Sequence, residues 1–159
     1  MKLILSIVFS LQSASICFAC TWIRGNSCYT LVRGEFKFLE AETYCRENFN
    51  GHLLAINSRE EDDFIRARLL DEHRSSGWWW IGLTKAEGDW KWTTGEEISY
   101  SNWESGEPSG EREAGGIHYK WLKWDDLHQT GYMLVFVNQM LRTSLDFNYV
   151  KPCLDLIQL

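Results

Sequence analysis

Proline is nearly absent, two residues in 159, which excludes a proline-rich linker. Positive charge is in deficit. Sixteen Lys and Arg stand against twenty-two Asp and Glu, a formal net charge of −6. That balance argues against a nucleic-acid phosphate backbone as partner and leaves cationic partners or metal ions open. No apolar stretch approaches a transmembrane span. Motifs of the GxSxG, HExxH, P-loop and GxGxxG type are missing, so no catalytic constellation points to an enzyme. The four histidines, His52, His73, His118 and His128, share no metal-ligand spacing and read as surface or satisfied side chains. No Asn-x-Ser/Thr sequon occurs, so N-glycosylation is not expected.

What remains has ordinary globular composition, 45% hydrophobic and 24% charged, with nine Trp. Residues 1–19 fit a secretory signal peptide: Lys2, the apolar run Leu3–Leu11, then Ala19 before the cut with Cys17 at minus three. The run is too short to cross ~30 Å of hydrocarbon as a helix, and Gln12, Ser13 and Ser15 interrupt it. The expected location is therefore secreted and extracellular, where cysteines tend to pair. The apparent CxxC of Cys17 and Cys20 straddles the cut and carries no redox reading. The mature chain keeps Cys20, Cys28, Cys45 and Cys153, for which three connectivities are open. About 140 residues bury roughly two thirds of their unfolded surface, enough for one domain with its own core.

Residues 20–32 read as a short strand pair turning at Gly25-Asn26 and closed by Cys20 and Cys28. Residues 38–48 suit a helix, with Ala41, Tyr44, Cys45 and Phe49 near helical spacing and Gly51 as its stop. Ser58 with Glu61 forms a capping-box pattern opening a second helix to about Leu70, whose buried side is Phe64, Ile65 and Leu69. The carboxylates Glu60, Glu61, Asp62 and Asp63 read as its solvated face. Trp80–Leu83 is a short apolar strand, and Trp90 and Trp92 alternate with polar residues as a half-exposed strand does. Residues 99–120 are rich in Gly, Ser and Glu with little periodicity, a long loop region of the kind that usually carries function. Tyr132–Val137 is another apolar strand. The order gives an α+β fold.

The chemistry-bearing cluster is acidic and oxygen-rich: Glu107, Glu111 and Glu113 in the loop, then Asp125 and Asp126. Calcium takes six to eight hard oxygen ligands, and loop carboxylates supply them. Solvated acidic loops are the other reading of the same spacing.

From Cys20 to about Asp126 the chain resembles a C-type lectin domain. The resemblance rests on Cys20…Cys28-Tyr29, Ala41…Cys45, Gly51-His52-Leu53-Leu54-Ala55-Ile56 and Ser58…Glu61. It continues through Trp80-Ile81-Gly82-Leu83, Trp90…Trp92, Trp103, Glu107-Pro108-Ser109 and Trp124-Asp125-Asp126. The resemblance implies two helices, small antiparallel sheets and a long calcium- and ligand-binding loop region. It implies Ca2+ held by Glu107, Ser109, Glu113, Asp125 and Asp126, with Glu107, Ser109, Glu113 and Asp125 also meeting a sugar. It implies a turn proline at Pro108, cis in the family. Glu107 where the family varies between Glu and Gln points to mannose, glucose or fucose-type diols rather than galactose. The implied partners are mannose-type glycans on cell or microbial surfaces, with no nucleic acid and no membrane span. Oligomer formation is left open, and innate immunity enters as an association of the family. A lectin-like module recognising protein or another non-sugar ligand without calcium is the alternative.

The sequence also departs from that pattern. Ser109 and Asp125 stand where the family has Asn. Two loop cysteines are replaced at about Gly115 and Gln129, and the final-strand partner of Cys45 at about Val137. Cys153 is a substitute partner for Cys45 if the Cα atoms come within roughly 7 Å. The expected boundaries are a signal segment 1–19, a domain 20–137 and a divergent extension 138–159. That extension reads either as a genuine tail or as an alternative transcript end. Trp80, Trp90, Trp92 and Trp103 are expected in the core, and Tyr119 and Trp121 beside the site.

Overall fold

The computed structural model describes residues 20–72 and 77–140. The signal segment, His73, Cys153 and the extension beyond Met140 lie outside the described residues.

The chain opens with a hairpin, β1 (Trp22–Arg24) and β2 (Ser27–Phe36), turning at Gly25 with φ of 57°. The Cys20–Cys28 disulfide closes it, with Cα atoms 5.3 Å apart. Helix α1 (Phe38–Phe49) follows, then β3 (His52–Leu53) and helix α2 (Arg59–Asp71). The rest is β: β4 (Trp78–Ala86), β5 (Asp89–Trp92), β6 (Ala114–His118), β7 (Trp124–Leu127) and β8 (Met133–Met140). The strand order is β1-β2-β8-β4-β6-β7, with β3 on β8 and β5 on β4. All pairings are antiparallel except β4 with β8. The α+β expectation is met.

The centre of the sheet is buried on both faces. Along β4, Trp79, Ile81 and Leu83 enter one apolar cluster and Trp80 the other. Along β8, Leu134 and Phe136 share the first cluster, Val135 and Val137 the second. Side chains alternate across a strand, so each strand feeds both cores. That is why both segments read as unbroken apolar runs. Ile65 and Leu69 of α2 seal the first cluster; Ala41 and Cys45 of α1 seal the second. Trp80 and Trp92 are core residues as expected, whereas Trp90 and Trp103 are only partly buried, packed edge-to-face 5.1 Å apart at its margin.

Local chemistry fixes the helix ends. The Lys37 amide donates to the Glu40 carboxylate at 3.1 Å, and the Ser58 hydroxyl accepts from the Glu61 amide at 3.2 Å. α1 ends on Asn50 in the left-handed region, φ 49°, one residue before the expected Gly51. Asn tolerates that conformation through its short polar side chain.

Three expectations need correction. Residues 114–118, placed in a loop, form β6. Gly115 and Gly116 hid that strand because glycine has low β propensity, yet the position demands it. A Cβ on Gly115 would lie 2.7 Å from Leu83 Cβ. The last strand continues past Val137 to Met140. The third correction concerns α2: Asp62 is not solvated but buried, 1% exposed. Its Oδ2 accepts from Asn102 Nδ2 at 2.9 Å and Tyr100 OH at 3.2 Å, tying the helix to the loop region.

Burial raises the Asp62 pKa, only partly offset by Tyr100 and Arg66. A raised acid binds more protons folded than unfolded. Its stabilising contribution is therefore present at low pH and is lost as pH rises from the ordinary Asp value of about 3.9 through the folded value. Asp62→Asn lacks this titration. The stability of wild type minus that of Asp62→Asn is expected to fall with rising pH across this window, measured by urea unfolding. A flat difference would show that the buried carboxyl titrates normally.

Candidate metal centre

Positioning begins at Trp124, fully buried in the first core and edge-to-face with Trp92, Tyr100 and Trp103 at 5.6 to 5.9 Å. Its amide donates to the Asn102 carbonyl at 2.9 Å, and its carbonyl accepts from the Glu104 amide at 2.8 Å. The first limb of the loop is thus laced to β7 just before Asp125 and Asp126. Asn102 Nδ2 reaches back to Asp62, so α2 anchors the same limb. The second limb turns through a cis Glu107-Pro108 peptide between Gly106 and Gly110, both at positive φ. Lys85 Nζ holds the Gly110 carbonyl at 2.9 Å.

Here Glu107, Asp125 and Asp126 come together, each offering a carboxylate oxygen, all within 4.8 Å of one another. Asp126 is the organising residue. It is fully buried, and its carboxylate accepts from the Ser109 hydroxyl at 2.8 and 3.0 Å. The backbone amides of Gly110 at 3.0 Å and Arg112 at 3.2 Å also donate to it. The Ser109 amide donates to Glu107 Oε2 at 2.7 Å. Arg112 Nη1 donates to the Asp126 backbone carbonyl at 2.9 Å and stands 3.8 Å from Asp125 Oδ1.

The acidity of the three groups follows from this arrangement. Hydrogen bonding with Asp126 pushes the Glu107 carboxyl up, aided by burial and both aspartates. Burial pushes Asp125 up, and the Arg112 charge opposes it. Burial acts the same way on Asp126, but Ser109, Glu107 and the Arg112 and Gly110 amides outweigh it and hold that carboxyl below the usual range. Carboxylates crowded this closely favour a shared proton or a cation between them.

The five expected ligand residues divide. Glu107, Asp125 and Asp126 converge. Ser109 is beside them, but its hydroxyl serves Asp126. Glu113 is outside the cluster: it is exposed, and its carbonyl is occupied by the Lys85 amide at 2.9 Å and the Thr84 hydroxyl at 3.3 Å where β6 begins. A hard divalent cation fits the three that converge. All donors are carboxylate oxygens, and Asp125 Oδ1 is buried without a hydrogen-bond partner. Sequence reasoning missed Arg112 and Asn102. The one visible signal for Arg112 was a lone cation inside the acidic run 107–113. Asn102 gave no signal, since its role depends on Asp62 being buried.

Trp121 is 56% exposed at the turn between β6 and β7. It stacks on His118 at 4.0 Å, and His118 in turn meets Trp78 at 4.6 Å. Burial lowers the His118 pKa, and Asp125 opposes that shift from across the hairpin.

Residues 35–135 match the family described as Lectin C-type domain. Among curated relatives, asialoglycoprotein receptor 2 of Mus musculus is 41% identical over 106 residues, 63% of this chain and 33% of the receptor. This chain spans about a third of that relative's length. The C-type lectin lectoxin-Enh4 of Pseudoferania polylepis is 33% identical over 115 residues, covering 67% of this chain and 73% of the lectoxin. Among solved structures, human lithostathine superposes with a TM-score of 0.70 at 21% identity over 75% of this chain and 95% of its own, a likeness of fold.

Proposed function

The chain belongs to the C-type lectin domain family, a family of carbohydrate-binding domains rather than enzymes, and on that premise we propose that it is a secreted, calcium-dependent lectin for mannose-type glycans. The observation that carries the reading is the convergence of Glu107, Asp125 and Asp126 within 4.8 Å. Held there by Glu107, Asp125 and Asp126, calcium would supply positive charge that attracts sugar hydroxyl oxygens. Glu107 and Asp125 would hold the ion and accept hydrogen bonds from those hydroxyls, since ionised carboxylates are acceptors only. Asp126, locked by Ser109 and two backbone amides, supplies fixed negative charge from below. Asp125 in place of an amide leaves the site one donor poorer, which favours ligands that donate to it.

Two further features support the reading. The mouse relative bears the name of a receptor for asialoglycoproteins, which are glycan-bearing ligands. Trp121 presents an exposed ring already fixed by His118, suited to stack on the apolar face of a sugar. Secretion rests on the signal pattern of residues 1–19. Among the described residues, no helix is long and apolar enough to cross a membrane. Single lectin sites bind weakly, so clustering of several copies would supply avidity.

Recognition of a non-sugar ligand without calcium is the second reading. One observation favours it: the Arg112 guanidinium already sits among the acidic groups. The test uses the full chain, made in an oxidising secretory host and loaded on mannan resin in millimolar calcium. Retention released by chelator and by free mannose, and lost in Glu107→Ala, is the expected result. A folded protein that flows through would turn the assignment to the second reading.

A further inference from the structure

Resting on the calcium reading above, we infer that Arg112 is an internal counter-cation whose guanidinium competes with a divalent cation for the Glu107, Asp125 and Asp126 cluster. The geometry places it there twice over. The backbone amide of Arg112 donates to Asp126 Oδ2 at 3.2 Å, fixing the main chain against the cluster. The side chain then returns, and Nη1 donates to the Asp126 carbonyl at 2.9 Å while standing 3.8 Å from Asp125 Oδ1. That carbonyl is a hard oxygen on a residue whose carboxylate belongs to the cluster. While Arg112 donates to it, one of its two lone pairs is taken and a fixed positive charge stands beside the cluster.

The two nearby lysines do not do this. Lys85 Nζ is engaged with the Gly110 carbonyl and Lys123 Nζ with Asn102 Oδ1. Among the described residues, the ion pair made by a cluster carboxylate is the one with Arg112. A guanidinium stays charged throughout the physiological range, so it opposes an incoming cation at every working pH. Arg112 is also 38% exposed along its side chain. It is therefore screened by water, and its long stem can swing away when a stronger cation arrives. The consequence is a graded competition that lowers calcium affinity without abolishing it.

Calcium titration by calorimetry on wild type, Arg112→Gln and Arg112→Lys tests this. Arg112→Gln is expected to bind calcium about tenfold more tightly than wild type, the scale of a partly screened charge at this distance. In chelator the same variant is expected to melt below wild type, because three carboxylates then lack their counter-charge. Arg112→Lys keeps the charge and is expected to stay near wild type. In wild type, calcium is expected to shift the Arg112 side-chain NMR resonances as the guanidinium is displaced. Equal or weaker calcium affinity in folded Arg112→Gln overturns the competition and leaves the calcium reading standing. Arg112 resonances unmoved at saturating calcium do the same, even where Arg112→Gln fails to fold. No calcium uptake by any of the three proteins up to about ten millimolar overturns the calcium reading and this inference together.

Discussion

Asp126→Ala is expected to abolish cation binding and to cost about 2–4 kcal/mol of stability, because it leaves the Ser109 hydroxyl and the Gly110 and Arg112 amides without their acceptor. The residue is wholly buried, so water cannot simply replace the lost oxygens. Asp126→Asn separates the two effects. Its remaining oxygen still accepts, so the loop should hold together with a smaller loss. The charge is gone, however, and calcium affinity should fall by about a hundredfold or more. Urea unfolding with chelator and with calcium reads both quantities. The calcium-induced stabilisation expected of wild type should vanish in Asp126→Ala and shrink in Asp126→Asn. An Asp126→Ala protein that retains calcium-induced stabilisation would remove Asp126 from the ligand set. One that unfolds at the wild-type midpoint in chelator would show that the loop does not depend on it.

The second large effect is a gain. Val137→Cys is expected to form a disulfide with Cys45 and to raise stability by up to about 4.6 kcal/mol, the entropic value for closing a loop of roughly ninety residues. Cys45 is a free thiol, fully buried in the second core, and Val137 lies in that same cluster at 1% exposure. Gly51 joins them. Its amide donates to the Cys45 carbonyl at 3.2 Å, and a Cβ built on it would lie 3.1 Å from Val137 Cγ1. Burial pushes the Cys45 thiol up to about 12, so in wild type it should resist alkylation until the protein unfolds. In Val137→Cys, loss of both thiols to a single bridge by mass spectrometry, with a melting temperature higher by about 10 °C, is the expected result. Two free thiols in the folded variant would show that the side chains point apart. The other missing family bridge should not be restorable in this way. Gly115 is pressed against Leu83, with room for no Cβ, and Gly115→Cys should destabilise the sheet.

Local signals carried much of the architecture. The Ser58 cap, the apolar period of residues 59–71, the Gly25-Asn26 turn and the Cys20–Cys28 closure all depend on neighbours within a few residues. Each could be read without knowing the fold. The apolar runs Trp80–Leu83 and Tyr132–Val137 were legible as strands for a related reason: they are apolar because the strands they belong to feed both cores. β6 was not legible, because its glycines are explained only by tertiary neighbours: Gly115 by Leu83 of β4, thirty-two residues earlier in the sequence, and Gly116 by Leu127 of β7 and the Trp79 carbonyl.

The site divides along the same line. Glu107-Pro108-Ser109 and Trp124-Asp125-Asp126 stand out as short motifs, so the sequence alone pointed to the three carboxylates that converge, together with Glu113, which does not join them. Tertiary structure decided how they meet. It set Ser109 to serve Asp126, left Glu113 facing solvent, and brought Arg112 back onto the Asp126 carbonyl. It also turned Asp62 from a surface acid into a buried anchor for Asn102. The physical reason is range. A cap or turn is closed by neighbouring residues, whereas the charge balance of a loop site depends on side chains that only the folded sheet brings within a few ångströms of one another.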